Sequence, residues 1–453
     1  MVRIDSRSII FYLFGMACLG IGAILLPHYL GTLIAGSQWR FVELMFCGVI
    51  LMTLYFVEGR FLILCTVLSL MVTGGVMDEK SAVSFSSVRW AFLGALAFRG
   101  TMNWITGRVP KRFREVDFWA ISFIGLAFFS FYYSILPALT LQKSAAISVF
   151  YLAVFWGVAS YAREEAAIVS VVRDLLKMGA VIVVAGFFFI GQGRYSGIFG
   201  NPNAVGAFST FFMPLAISFY FYERKPWMMT LIVLIVLGLI LSDARAGILG
   251  TMVGTLYVLW YRFRNLRLPL AVVVLFLLVT LSLFCLLFGA AWFFEYIRFN
   301  SLSTGSGRMD AWREILRLIC LRPWTGFGFG TEEFLFYKFD IQFEEHAGAY
   351  AHNVYLGLVS QLGIVGACFF FGPLAIFWIR NAFHIDRSTS SSLHWLHPAL
   401  NSILLGGLIH ATFESWIYSA GNFVNFVFWM IFILQYQLNR INLHVPKNAG
   451  TAS

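Results

Sequence analysis

Apolar residues in this chain come in long unbroken runs, not in alternation. Ser8–Leu26, Phe118–Pro137, Leu268–Phe288 and Asn353–Ile379 are runs of spanning length, since a bilayer core of ~30 Å takes roughly 20 helical residues. None shows the period-2 alternation of a membrane barrel strand, and helices and closed barrels are the only structures that satisfy their backbone in lipid. Up to 14 apolar segments can be counted: 8–26, 41–56, 60–75, 86–98, 118–137, 144–160, 174–191, 203–222, 227–241, 244–260, 268–292, 353–379, 397–416 and 421–439. Segments 60–75 and 86–98 are short, so 12 spans is the alternative count. The pattern predicts an all-α polytopic membrane protein with 12–14 transmembrane helices. Its parts would be the N-terminal transmembrane helices at 1–190, transmembrane helices with outward arginine motifs at 191–292, a long external loop at 293–351, and C-terminal transmembrane helices with a tail at 352–453.

Composition agrees with this picture. The chain is 60% hydrophobic and only 12% charged, against about 25% charged residues in a soluble domain. Of the six cysteines, Cys18, Cys47, Cys65, Cys285 and Cys368 lie inside apolar runs and Cys320 does not. No pair has metal-ligand spacing, so they read as small buried hydrophobes. The first run follows Arg3 and Arg7 as a signal peptide would, yet it is long, has no A-x-A ending and is followed by further spans. It reads as an uncleaved first span.

Charge sets the orientation. With the N-terminus inside, loops 1–7, 57–60, 99–117, 161–173, 223–226, 261–267, 380–396 and the tail, with flanking helix ends, hold 20 of the 32 Lys+Arg and 9 of the 22 Asp+Glu. The formal +10 is therefore +11 on that side and −1 elsewhere, the positive-inside bias of a plasma-membrane protein. The blocks Lys111–Arg112 with Arg114, and Arg262 with Arg264 and Arg267, carry the strongest signal. Basic loops of this kind orient a membrane protein, and no nucleic-acid partner is expected. The threading leaves one long external segment, about Phe293 to Ala351, too polar to span and too long for a simple turn, as functional loops are. Gln192–Asn203, Ser242–Arg245 and Ser419–Gly421 face the same way.

Five external or boundary elements could carry chemistry. In Gly191–Asn203, Asn201 reads as a helix N-cap with Pro202 at the first helical position. An outward helix N-terminus suits an anion, and Arg194 stands beside it; a capped turn between spans is the plainer reading. In Leu241–Gly247, Asp243 and Arg245 form either a surface pair or a site where the planar Arg245 fork meets a membrane-borne anion. In Ser303–Arg317, Met309, Trp312, Ile315, Leu316 and Ile319 recur at helical spacing. This predicts an amphipathic helix with Arg308 at its start and Arg313 and Arg317 on its polar side, lying at the interface or holding substrate. Gly326-Phe-Gly-Phe-Gly330 follows and reads as a flexible loop, since no strand precedes it and no Walker A sequence is present. His352-Asn353 stands where the long loop enters a span, at the water–lipid boundary, where an imidazole can take a proton near neutrality. His410 and Glu414, four apart in segment 397–416, are expected to share a helix face, as a functional or a structural pair.

Taken in order, these motifs resemble the O-antigen ligase and O-antigen polymerase superfamily. The matching features are Gly-Asn-Pro-Asn at Gly200–Asn203, Ser-x-x-Arg at Ser242–Arg245, the Arg308–Trp312 element with Pro323-Trp-Thr-Gly-Phe-Gly328, and His352-Asn353 followed by Gly363. The resemblance covers roughly residues 190–380 and makes 293–351 a periplasmic loop.

That resemblance implies a bacterial inner-membrane glycosyltransferase with cytoplasmic termini and a periplasmic active site. Its donor would be a glycan on undecaprenyl diphosphate. Its acceptor would be a sugar hydroxyl, on lipid A–core for a ligase or on a second lipid-linked glycan for a polymerase. The implied mechanism is inverting, needs no metal and uses no cofactor. The leaving diphosphate gains negative charge as the glycosidic bond breaks, so preorganised cations there lower the barrier. Arg245, Arg308 and His352 are the expected catalytic residues; Arg194, Asn201, Asn203, Arg313, Asn353 and Glu414 are expected to bind substrate. The competing class is a transporter or flippase. It predicts charges at helix centres and inverted repeats, whereas here the charged motifs cluster at the external boundary; Arg173, Asp174 and Lys177 read as a cytoplasmic helix end.

Overall fold

The computed structural model describes residues 53–73, 86–110, 113–191, 193–263, 308–343, 351–384 and 395–443. Segments 8–26 and 268–292, most of 41–56, loop residues 293–307, Cys18, Cys47, Cys285, Lys111, Arg112, Arg264 and Arg267 lie outside the described residues. Among the described residues every regular element is helical. In chain order they are α1 (Gly59–Met71), α2 (Ser86–Ile105), α3 (Glu115–Phe129), α4 (Pro137–Tyr151), α5 (Glu165–Gly186), α6 (Pro202–Glu223), α7 (Pro226–Ser242), α8 (Arg245–Phe263), α9 (Arg308–Leu321), α10 (Glu332–Lys338), α11 (Val354–His384), α12 (Leu396–His410) and α13 (Phe423–Leu443).

Among the described residues four stretches are long and apolar enough to cross a membrane: Glu115–Tyr132, Pro137–Tyr161, Pro202–Glu223 and Val354–Ala382. The outer faces of the bundle are apolar, with Phe118, Val181 and Phe188 at 62%, 69% and 84% exposure. Contiguous apolar surface of this kind is what lipid covers. Of the two short segments, 60–75 becomes the 13-residue α1, below spanning length, while 86–98 extends into the 20-residue α2. Cys368 is exposed beside Phe369 on the outer face of α11, so burial does not explain it.

The centre of the bundle is α6, α8 and α12, packed through small residues. Gly206 meets Gly247 so closely that a Cβ on Gly247 would stand 2.2 Å from the Gly206 Cα. Without a hydrophobic drive between helices in lipid, such close backbone approach is how they associate. Contacts advance together along α6 and α8: Gly206 with Gly247, Thr210 with Thr251, Pro214 with Gly254. They run oppositely along α8 and α12, where Gly250 meets Gly406 and Gly254 meets Ser402. The starts of α6 and α8 and the end of α12 therefore lie at one level.

The amphipathic helix forms as α9, but its buried stripe is Ala311, Ile315, Leu318 and Ile319, while Met309 and Leu316 are half exposed. The expected apolar face is thus rotated, because α9 packs on α11 instead of lying free on a surface. The glycine run after it is not a flexible loop. The N–H groups of Phe327 and Gly328 donate to the carbonyls of Ser360 and Gln361 at 2.9 and 2.8 Å, and Gly330 N–H donates to the Gln361 side-chain oxygen at 2.6 Å. The partner is a break inside α11 at Gly363, with φ 66° and ψ −175°. Carbonyls freed by the break are taken by the loop, and Ile364 N–H donates back to Pro323 O at 2.8 Å. Buried backbone groups rarely go unpaired, so loop and break hold one another.

Candidate active site

Where the three helix ends meet, the sequence provides two N-termini and one C-terminus. Asn201 caps α6, its side-chain oxygen accepting from Asn203 N–H at 2.9 Å, with Pro202 at the first helical position. Arg245 is the first residue of α8. Two helix N-termini at one level present partial positive charge. α12 stops at His410, and residues 411–422 return across this end as a loop. Glu414 is therefore not one turn along a helix from His410, as its spacing led one to expect. His410 is buried and accepts at Nδ1 from Trp416 Nε1 at 3.0 Å.

The loop carries Glu414 into the middle of the predicted residues. One carboxylate oxygen accepts from Arg308 Nη2 at 2.9 Å and from Asn203 Nδ2 at 2.8 Å; the other stands 3.4 Å from His352 Nδ1. The three side chains are partly covered, at 24% for Arg308, 30% for His352 and 18% for Glu414. Burial pushes the Glu414 carboxyl up, but the hydrogen bond and charge of His352, with Arg308 and His410, outweigh it and hold it below the usual carboxylate range. It is an anion that fixes one cation and one imidazole side by side.

His352 itself has φ 49°, in the left-handed region that bulky side chains avoid. Its neighbours hold it there. Trp312 Nε1 donates to Ala351 O at 2.8 Å, and Val354 N–H donates to Ala411 O at 3.0 Å. Asn353 caps α11, its side-chain oxygen accepting from the N–H groups of Tyr355 and Leu356, both at 3.0 Å. Strain of this kind persists where the surroundings over-determine it, typically at functional sites.

A second acidic group, which sequence reasoning missed, supports the first. Glu332, at the start of α10, is buried and accepts from Tyr418 Oη at 2.5 Å, Ser415 Oγ at 3.0 Å and Gln361 Nε2 at 3.3 Å. Ala351 N–H also bonds to it. Desolvation raises its pKa despite these donors. Glu332 thereby ties the Glu414 loop, the α11 start and the residue before His352 to one point. The Glu332-Glu333 pair reads in sequence as an acidic helix start, and no spacing connects it to residues 415–418.

The remaining expected residues fall elsewhere. Arg194 donates to the carbonyls of Ser242 and Asp243 at 2.9 and 2.8 Å, closing the C-terminus of α7. Arg313 is 74% exposed and pairs with Asp310 at 2.9 Å, away from Glu414. The structure thus gathers Asn203, Arg308, His352 and Glu414, sets Arg245 at the level of the α6 start, and turns Asn201, Asn353 and Arg194 to capping. Among the described residues no group of three or more His, Cys, Asp or Glu has metal-ligand geometry.

No curated protein matches the chain. Residues 230–371 match the family model described as O-antigen ligase. That segment takes in Arg245, Arg308, Glu332, His352 and Gly363, while Asn203 and Glu414 stand outside it. Over that segment the chain is similar to the O-antigen ligase superfamily.

Proposed function

We propose that this protein is an O-antigen ligase-type glycosyltransferase of the bacterial inner membrane, working at the periplasmic face without a metal. It would move a glycan from undecaprenyl diphosphate to a sugar hydroxyl of lipid A–core. The observation that carries this reading is that Arg308 and His352 are held by the two oxygens of one carboxylate, Glu414. In the reaction the bond between the sugar anomeric carbon and the diphosphate oxygen breaks, and its electron pair leaves with the diphosphate. The acceptor oxygen bonds to the same carbon and gives up its proton. In this reading His352 takes that proton, with Glu414 orienting the ring and balancing the imidazolium. Arg308, Arg245 and the two helix N-termini, in this reading, stabilise the developing diphosphate charge.

The test uses a deletion strain complemented with Arg245→Ala, Arg308→Ala or His352→Ala and read by lipopolysaccharide gel. Each variant is expected to insert and to leave lipid A–core without polymer. Full transfer by all three would overturn the enzymatic reading. Core capped by a single repeat unit in the deletion strain would instead assign the same chemistry to a polymerase, whose acceptor is a second lipid-linked glycan.

A further inference from the structure

At the end of the bundle opposite Glu414 lies a cavity of about 790 Å³ between α2, α3, the continuation of α4 and the last turns of α13. From the start of α13 near the Glu414 loop to Tyr436 is roughly 20 Å of helix rise. One wall is aromatic: Trp104, Phe113 and Trp156 lie with ring centroids 5.3 to 6.1 Å apart. The charged lining is Arg114, Arg163, Arg440 and Asp117. Asp117 is already engaged, bonded by Arg114 at 2.6–2.8 Å and by Tyr151 Oη at 3.0 Å. Arg114 also donates to Phe155 O, so this side is a rigid wall. Arg163 and Arg440 stand exposed at the cavity mouth.

Three guanidinium groups against one neutralised carboxylate give the cavity a net positive lining. Its aromatic wall matches the amphipathic belt found at headgroup depth, and the planar guanidinium fork recognises phosphate oxygens. Basic pockets between membrane helices on the positive side of a protein bind anionic headgroups. We propose that this cavity binds one anionic phospholipid from the leaflet on the basic side, its phosphate between Arg163 and Arg440 and its glycerol and upper acyl carbons against Trp104 and Trp156. The site is separate from the transferase reading and stands or falls without it.

The purified protein in mild detergent is titrated with phosphatidylglycerol, phosphatidylcholine or inorganic phosphate, and adducts are counted by native mass spectrometry. One phosphatidylglycerol is expected to be retained in preference to phosphatidylcholine. Arg163→Gln/Arg440→Gln is expected to weaken that retention by roughly tenfold or more, at about 1 kcal/mol per arginine near a surface, with phosphatidylcholine adducts unchanged. A thermal midpoint without lipid checks the fold, and Arg440→Gln alone serves if the double variant unfolds. Equal retention of both lipids, equal retention by parent and variant, or displacement of the lipid by inorganic phosphate at millimolar concentration would each overturn the assignment.

Discussion

The guanidinium of Arg308 is bound at 2.9 Å by the carboxylate of Glu414, a residue 106 positions later in the chain and on a loop, not on a helix face. This single contact joins the segment carrying α9 to the turn between α12 and α13, and it fixes what each can do. Glu414→Gln keeps the shape and the bond to Asn203 but removes the charge that holds Arg308 and orients His352. Transfer is expected to fall by the order of 10²–10⁴-fold, the range for losing a base or its orienting carboxylate, with little loss of membrane-inserted protein. A turnover assay on a lipid-linked glycan checks this. Near-parental rates would mean Glu414 is only a tether.

Glu414 also gives a pH signature. Its carboxyl is held below the ordinary range by His352, Arg308 and His410 against the opposing effect of burial. A depressed acid contributes stability that is fully present above the unfolded value, near 4.3, and is lost as pH falls through the lower folded value. The stability advantage of the parent over Glu414→Gln is therefore expected not to narrow from pH 7 down to about 4.5 and to narrow only below that. Melting curves of the two proteins across this range decide it; a gap that closes between pH 7 and 5 would contradict the assignment.

Much of this arrangement was legible in the sequence, and the failures share one cause. Asn203 and His352 stood out as polar residues where loops enter apolar runs and Arg308 as the start of an amphipathic helix, and the structure puts them together. Glu414 was found for a wrong reason: its four-residue spacing from His410 suggested a helix that in fact ends at His410. Glu332 was missed because its partners Gln361, Ser415 and Tyr418 are 29 to 86 positions away, and a local pattern carries no record of tertiary contacts. The glycine run was misread likewise. Its three positive-φ residues look like flexibility in sequence, but they are the geometry needed to seat a loop in the α11 break.

That break makes Gly363 a sharp test of the fold. Its φ 66° with ψ −175° lies in a region open essentially to glycine alone. A Cβ there would stand 2.2 Å from the Trp324 carbonyl carbon. Gly363→Ala is expected to cost about 3 kcal/mol or more, combining backbone strain with a clash against main chain. Inserted protein should drop sharply, and the α10 loop should become open to limited proteolysis. Parental levels and parental protease resistance would show that α11 can run straight through this position.

Arg194 separates a structural guanidinium from a substrate-binding one. It spans the last carbonyls of α7, bonding Ser242 O and Asp243 O, where a cation also meets the negative end of the helix. Arg194→Ala is expected to lower stability by about 1–2 kcal/mol, seen as a lower thermal midpoint. KM for the lipid-linked donor should stay within about twofold, since losing only structure does not remove uniform substrate binding. A large rise in KM with an unchanged midpoint would return Arg194 to the phosphate.

Glu332 is the last test, and its sign is opposite to that of Glu414. Desolvation raises its carboxyl although Tyr418, Ser415 and the Ala351 N–H all donate to it. For a raised acid the two states are alike below the unfolded value near 4.3; ionisation then costs stability as pH rises from there through the folded value. Glu332→Gln has the same shape and no charge to desolvate, so its stability relative to the parent should improve between pH 4.5 and 7. Glu332→Ala removes the acceptor and leaves the Tyr418 and Ser415 hydroxyls without their partner, at about 1–3 kcal/mol for each buried group left unsatisfied. Because Glu332 touches no reacting group, the alanine variant should lose both stability and turnover, while the glutamine variant recovers most of each. Thermal midpoints and transfer rates for the two variants, measured at pH 5 and pH 7, separate the outcomes. If glutamine fails where alanine fails, with a pH profile that shifts, the carboxylate charge itself is needed at the site and Glu332 joins Glu414 in the chemistry.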